Sequence, residues 1–265
     1  MHRSVYALIA SALLWSCGGS PKSLGLIYVR GRAVEPVGDS LLAMTAVGID
    51  GLLLYHLRSG AIDTIGSEAL DSPLQVQQVG GRWYVSDIRD GRPQIVVLSW
   101  DGALERRIDL GDISSRAHQF AVLPGGRVVV ESADLELLQL DGDSITSFAL
   151  IETGARPSLL AGVAGGVLHA VPGKHMTLYN EFGNIRWRVE WPWAVTAYFT
   201  DISVDRQGRI HMMAGVPGDS AFRVYTVARD DGDVIAWSPA GPYGTFIVDR
   251  RGGFRPDSAS RWLGN

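Results

Sequence analysis

The chain has 265 residues, with 24 Lys plus Arg against 28 Asp plus Glu and a formal net charge of −4. That near balance leaves no electrostatic footprint for a nucleic acid or other polyanion. One cysteine excludes a disulfide framework and a Cys-x-x-Cys metal site, so the fold has to bury a large apolar core. Lysine occurs only at Lys22 and Lys174, and arginine carries the rest of the positive charge.

The first predicted element follows basic Arg3. Val5 to Trp15 is apolar apart from Ser11. The run falls short of the roughly 20 residues a membrane-spanning helix needs, and has the length of a signal-peptide core. It ends in Leu14-Trp15-Ser16-Cys17, which resembles the lipobox of bacterial lipoproteins. The resemblance implies cleavage after Ser16 and acylation of the Cys17 thiol, with the lipid bilayer as partner. Trp15 is bulkier than the usual residue there, and the plain alternative is a secretory signal cut elsewhere. Gly18-Gly19-Ser20-Pro21-Lys22-Ser23 reads as a flexible tether. By the same resemblance, Gly18 in place of an aspartate favours the outer membrane over the inner. The predicted organisation is therefore a signal peptide over 1–16, a lipidated Cys and tether over 17–23, and one domain over 24–265.

Two marks recur along that domain. A turn runs into an apolar strand at Gly38, Gly81, Gly126, Gly166, Gly208 and Gly253, at intervals of 40 to 45 residues. A strand runs into a tight turn at Gly60, Gly102, Gly142, Gly183 and Gly232, at intervals of 40 to 49. Asp101-Gly102, Asp141-Gly142 and Asp231-Gly232 are hairpin signals, because glycine accepts positive φ without a Cβ clash. The marks keep step, and each unit holds about four short strands. That period is the signature of β-propeller blades. The expectation is an all-β, six-bladed propeller of four-stranded blades. The sixth unit lacks its second turn, and residues 24–30 read as a strand that closes the ring. Five blades with irregular ends is the alternative.

Trp83-Tyr84-Val85-Ser86-Asp87, then Pro93-Gln94-Ile95-Val96-Val97-Leu98 and Asp101-Gly102, resemble a blade of the NHL-repeat type of propeller. Ile202 to Ile210 and Phe246 to Gly253 resemble its first hairpin. The resemblance implies architecture. Its members include binding modules, lyases and lactonases, so it implies no one activity.

In such a fold the two marked turns share one face. The opposite face carries the loops 86–93, 131–134, 172–175 and 214–220 and the crossings 112–117, 152–157, 191–199 and 238–244. The candidate ligand-binding residues there are Asp87, Arg89, Arg92, Glu131, Lys174, His175, Trp193, Tyr198 and Tyr243. Asp87, Glu131 and His175 hold roughly equivalent places in three successive units. Converging, they would suit acid–base work or a divalent cation. The competing reading is structural, since a carboxylate ending a strand commonly accepts backbone N–H groups from the next loop. His169 and His211 sit at matching distances from their turns, which places them on one side of their blades. Trp191-Pro192-Trp193 offers either core packing or an aromatic platform. The lactonase-type propellers hold a metal with Glu, Asn and Asp, whereas Asn180 and Asn184 flank the Gly183 turn on the wrong face.

No Gly-x-Ser-x-Gly or His-Glu-x-x-His motif occurs. The expectation is a monomeric, lipid-anchored binding module in the cell envelope, without cofactor, metal or nucleic acid. It binds a protein or small ligand on the loop face. A carbohydrate- or lactone-active enzyme with its site at the channel mouth is the alternative.

Overall fold

The computed structural model describes residues 31–256, apart from positions 39, 47, 57, 112, 114–118, 135, 152–157, 172–173, 191–197, 205–208, 216–221, 242–245 and 249–253. Every regular element among the described residues is a strand. Sheet 1 contains β1 (Gly31–Val37), β2 (Leu41–Ala46), β3 (Leu52–His56) and β4 (Ile62–Ile65). Sheet 2 contains β5 (Pro73–Val79), β6 (Arg82–Arg89), β7 (Arg92–Leu98) and β8 (Leu104–Asp109). Sheet 3 contains β9 (Phe120–Val122), β10 (Val128–Glu131), β11 (Glu136–Asp141) and β12 (Ser144–Leu150). Sheet 4 contains β13 (Leu159–Val163), β14 (Gly166–Val171), β15 (His175–Asn180) and β16 (Ile185–Glu190). Sheet 5 contains β17 (Tyr198–Val204), β18 (Ile210–Gly215), β19 (Phe222–Val227) and β20 (Val234–Gly241). A two-stranded sheet follows, β21 (Phe246–Val248) with β22 (Phe254–Pro256).

Each four-stranded sheet is an antiparallel meander in sequence order. The first strands lie side by side in succession: β1 by β5, β5 by β9, β9 by β13, β13 by β17, β17 by β21, and β21 by β1.

The middle strands are near-continuous β-branched and apolar runs because both of their faces are covered. The core therefore lies between sheets. Leu41, Ala43, Leu52 and Leu54 of sheet 1 pack on Trp83, Val85, Val96 and Leu98 of sheet 2. Tyr84, Ile95 and Val97 then pack on Phe120, Val128 and Val130 of sheet 3. Ala121, Val129 and Leu137 meet Leu160, Val167 and Tyr179 of sheet 4. Leu168, Met176 and Trp187 meet Ile210, Met212 and Tyr225 of sheet 5. Full burial of one such side chain contributes about 1.5–3 kcal/mol.

Polar side chains stitch the first strands together. Gln77 Nε2 donates to Phe120 O at 2.6 Å, while Gln77 Oε1 accepts from Val122 N at 3.0 Å. Gln75 Oε1 accepts from Phe120 N, and Gln119 Oε1 accepts from Leu160 N, both at 3.3 Å. Thr45 Oγ1 donates to Leu74 O at 2.8 Å. That bond joins the end of β2 to the start of β5. Sheets 1 and 2 thus present corresponding ends to the same face.

One expected register is corrected. The glycine with positive φ in the first turn of sheet 4 is Gly165 (φ 79), one residue before the one marked by spacing. Every later residue of β14 therefore shifts to the opposite face of its strand. His169 shares a face with Val167, which packs towards sheet 3. His211 lies on the face of β18 opposite Ile210 and Met212, which pack towards sheet 4. The two histidines do not share a side.

Candidate functional site

In each sheet the loop between second and third strands lies at the same end as the crossing to the next sheet. This is the loop face. Strand runs further into it than the sequence indicates. The segment 86–93 is a hairpin rather than a loop, since β6 continues to Arg89 and β7 begins at Arg92. Likewise His175 opens β15 and Tyr198 opens β17.

Asp87 is completely buried. Its Oδ1 accepts from the backbone N–H groups of Asp71 (3.1 Å) and Ser72 (2.6 Å), in the crossing from sheet 1. Its Oδ2 accepts from Gln94 Nε2 at 2.7 Å. The carboxylate ties a crossing segment to a sheet and is turned away from solvent. Gln94 sits directly across from it on β7, which fixes the approach of the amide.

Glu131 ends β10 and is also buried. It accepts a hydrogen bond from the Ser158 hydroxyl at the start of sheet 4. Its Oε2 lies 3.8 Å from His169 Nε2. Neither ring nitrogen of His169 has a hydrogen-bond partner among the described residues, and its side chain is 1% exposed. The Thr177 hydroxyl, on the residue paired with His169, is likewise buried without one. His175 stands on this same face of sheet 4, with Nδ1 at 3.2 Å from Arg188 Nη2. Residues 131, 158, 169, 175, 177 and 188 thus form a polar row in the seam between sheets 3 and 4. Sequence reading found Glu131 and His175. It missed the approach of His169 to Glu131, because the Gly165 shift decides which face His169 occupies.

Asp87, Glu131 and His175 therefore have separate partners. Among the described residues no group of three His, Cys, Asp or Glu side chains is placed to hold a metal ion. The exposed candidates are cationic. Arg89 and Arg92 flank the Asp90-Gly91 turn, and Lys174 stands on the β14–β15 loop. Arg92 is 77% exposed, with Nη1 3.9 Å from Asp109 Oδ2. A groove of about 210 Å³ lies on the rim between β8 and the β11–β12 turn, where Arg106, Asp109 and Asp143 mix with Ile108, Ile113 and Ile145. Cys17, Trp193 and Tyr243 lie outside the described residues, as does the side chain of Tyr198.

No family model and no curated protein sequence matches the chain. Solved structures do. A streptogramin B lyase aligns with a TM-score of 0.57 and 11% identity, over 84% of this chain and 89% of that one. A putative oxidoreductase (glucose dehydrogenase) from Thermus thermophilus aligns at 0.56 and 16%, again over 84% and 89%. A protein of unknown function from Bacteroides thetaiotaomicron aligns at 0.57 and 12%, over 84% of this chain and 65% of that one. These neighbours are β-propeller-like, and identities this low speak to fold alone. With its consecutive four-stranded antiparallel sheets, the chain has a β-propeller fold.

Proposed function

We propose that this chain is a lipid-anchored, extracytoplasmic propeller that binds a ligand or protein at its loop face without catalysing a reaction on it. One observation carries the reading. The two strand-end carboxylates best suited to acid–base work, Asp87 and Glu131, are buried and committed to crossing segments, whereas Arg89, Arg92 and Lys174 stand exposed on the same face. A group that must reach substrate cannot be spent inside a seam.

The finer architecture belongs to the same proposal. Six blades are supported by the two-stranded β21–β22 sheet, with β21 beside both β17 and β1. A strand formed by residues 24–30 would then complete the sixth blade. The anchor rests on Leu14-Trp15-Ser16-Cys17, and cells fed radiolabelled palmitate test it. Label in the wild type and none in Cys17→Ala supports the anchor; label retained in the variant refutes it.

The enzymatic alternative draws on one feature, the approach of His169 to Glu131, and on neighbours whose names include lyases. Glu131→Gln distinguishes the readings. On the binding reading it lowers stability and leaves ligand affinity intact. An enzyme would lose turnover with substrate binding retained.

A further inference from the structure

We propose that the outer edge of sheet 3 pairs with itself: β12 joins β12 of a second copy as an antiparallel neighbour, and the two copies form a two-fold dimer. The inference goes beyond the loop-face reading above and does not depend on it. It departs from the monomer expected from sequence.

β12 is an unguarded edge. It is the outer strand of its sheet and takes its ladder from β11 alone, so alternate backbone N–H and C=O groups point away from the sheet. Folded proteins protect such edges with charge or proline. The outer strands of the other four-stranded sheets follow that rule. β4 carries Asp63, β8 carries Glu105, Arg106, Arg107 and Asp109, β16 carries Arg186, Arg188 and Glu190, and β20 carries Pro239. β12 reads Ser144-Ile145-Thr146-Ser147-Phe148-Ala149-Leu150, with neither charge nor proline.

A bulge gathers the exposed apolar side chains of this strand on one face. Leu137 pairs with Ala149 and Leu138 with Ser147, which leaves Phe148 as the extra residue. Ile145 lies opposite Leu140, and Leu150 opposite Glu136. Leu138 and Leu140 pack towards sheet 2, and alternation along β11 puts Glu136 on the same face. Ile145 (51% exposed) and Leu150 (78% exposed) therefore both look towards sheet 2. Their odd spacing in an unbroken strand would have sent them to opposite faces. Phe148 turns the other way into the seam with sheet 4, where the Gly183 turn abuts its carbonyl. The residues on either side of the bulge carry the pairing.

The complement of this edge is the strand itself. Ile145 lines the rim groove together with Ile108, Ile113 and Leu140. A two-fold axis perpendicular to the sheet keeps like faces together. With Ile145 of one copy opposite Leu150 of the other, each Leu150 enters the other copy's groove. Added strands bind in this way, with main-chain hydrogen bonds for affinity and a pocket for alternate side chains. The groove also carries Arg106, Asp109 and Asp143, so a charged strand of either sign would meet a like charge, whereas β12 brings none. Self-pairing of β8 or β16 would instead set arginines against arginines. A contact one strand wide is small for a protein interface, so the dimer forms in a concentration-dependent way.

The test is sedimentation velocity of the full chain over a concentration series, in density-matched non-ionic detergent with micelles in excess. The expected wild type passes from monomer to dimer as concentration rises. Ser147 is exposed and lies beside its own copy at the two-fold axis of this pairing. Ser147→Lys and Ser147→Glu should each stay monomeric where the wild type is half dimer, and mixing the two in equal amounts should restore the dimer. Leu150→Ala should raise the dissociation constant several-fold. Thr64→Lys, on the outer strand of sheet 1, should dimerise as the wild type does. Thermal melts matching the wild type separate these effects from misfolding. A wild type that stays monomeric throughout overturns the second copy as occupant. A dimer that survives Ser147→Lys and Leu150→Ala overturns β12 as the contact. Mixed lysine and glutamate variants that stay apart overturn the two-fold pairing and leave the edge to a strand of another protein.

Discussion

Gln77 and Val122 belong to different sheets, yet they pair as strand neighbours do. The Gln77 side-chain oxygen accepts from Val122 N at 3.0 Å, and its amide nitrogen donates two residues earlier, to Phe120 O at 2.6 Å. One carboxamide replaces a peptide group in a two-bond ladder. Gln77→Leu keeps much of the volume and strands both backbone groups. The expected cost is about 1–3 kcal/mol, the penalty for leaving a buried donor or acceptor unmade. Urea unfolding checks it; a variant as stable as the wild type would remove this stitch from the account.

Asp87→Asn tests the crossing clamp. The carboxylate accepts three hydrogen bonds, and an amide nitrogen in place of either oxygen faces a donor. The loss expected is about 1.5–3 kcal/mol, the range for hydrogen bonds to a charged group. Thermal melting of the variant should also become independent of Gln94→Ala, because the two residues act as one unit. Additive effects of the two changes would contradict the shared bond.

Two turn glycines separate backbone conformation from crowding. Gly142 (φ 58) has open space where a Cβ would go, whereas at Gly183 (φ 82) a Cβ would collide with the Phe148 carbonyl oxygen of the neighbouring sheet. Gly142→Ala should cost about 1–2 kcal/mol from its left-handed backbone alone. Gly183→Ala should cost clearly more, because a backbone atom of sheet 3 has to move. Denaturation midpoints rank them, and similar values would mean that the Gly183 turn is not pressed against β12.

Asp101 carries a pH signature. The Ser99 hydroxyl donates to its carboxylate and, with lesser backbone hydrogen bonds, holds its pKa below the ordinary 3.8. A carboxylate depressed in the folded state contributes stability that is present above its unfolded pKa and lost as pH falls through its folded one. Wild type should therefore exceed Ser99→Ala in stability near neutral pH, with the gap closing in acid well below 3.8. Both groups are exposed, so the gap is small, and salt screens only its Coulombic part. A gap that widens in acid would reverse the assignment.

The repeat was legible because its two marks are backbone requirements. The turns at Gly102, Gly142, Gly183 and Gly232 all have positive φ, and strands flank each of them. Sheet 4 shows the limit. Ala164-Gly165-Gly166 offers two glycines, and only the conformation distinguishes them. The error of one residue put His169 on the wrong face and hid the polar row beside Glu131. Asp87 was legible as a strand-end carboxylate. Its destination was not, because Asp71 and Ser72 reach it through the packing of a crossing rather than through any local pattern. The β6–β7 hairpin did leave a signal: Asp90-Gly91 is a hairpin turn dipeptide inside what reads as a loop.

The seam between sheets 3 and 4 also sets where the molecule yields. Seams elsewhere are filled largely with aliphatic and aromatic side chains. This one ends in an imidazole and a hydroxyl that have no hydrogen-bond partner among the described residues. Water entering there would satisfy His169 and Thr177 at once, which lowers the cost of opening relative to any dry joint. Amide protons of β10 and β14 should then exchange ahead of those in β6 and β7, and a fluctuating loop face would hinge at this joint.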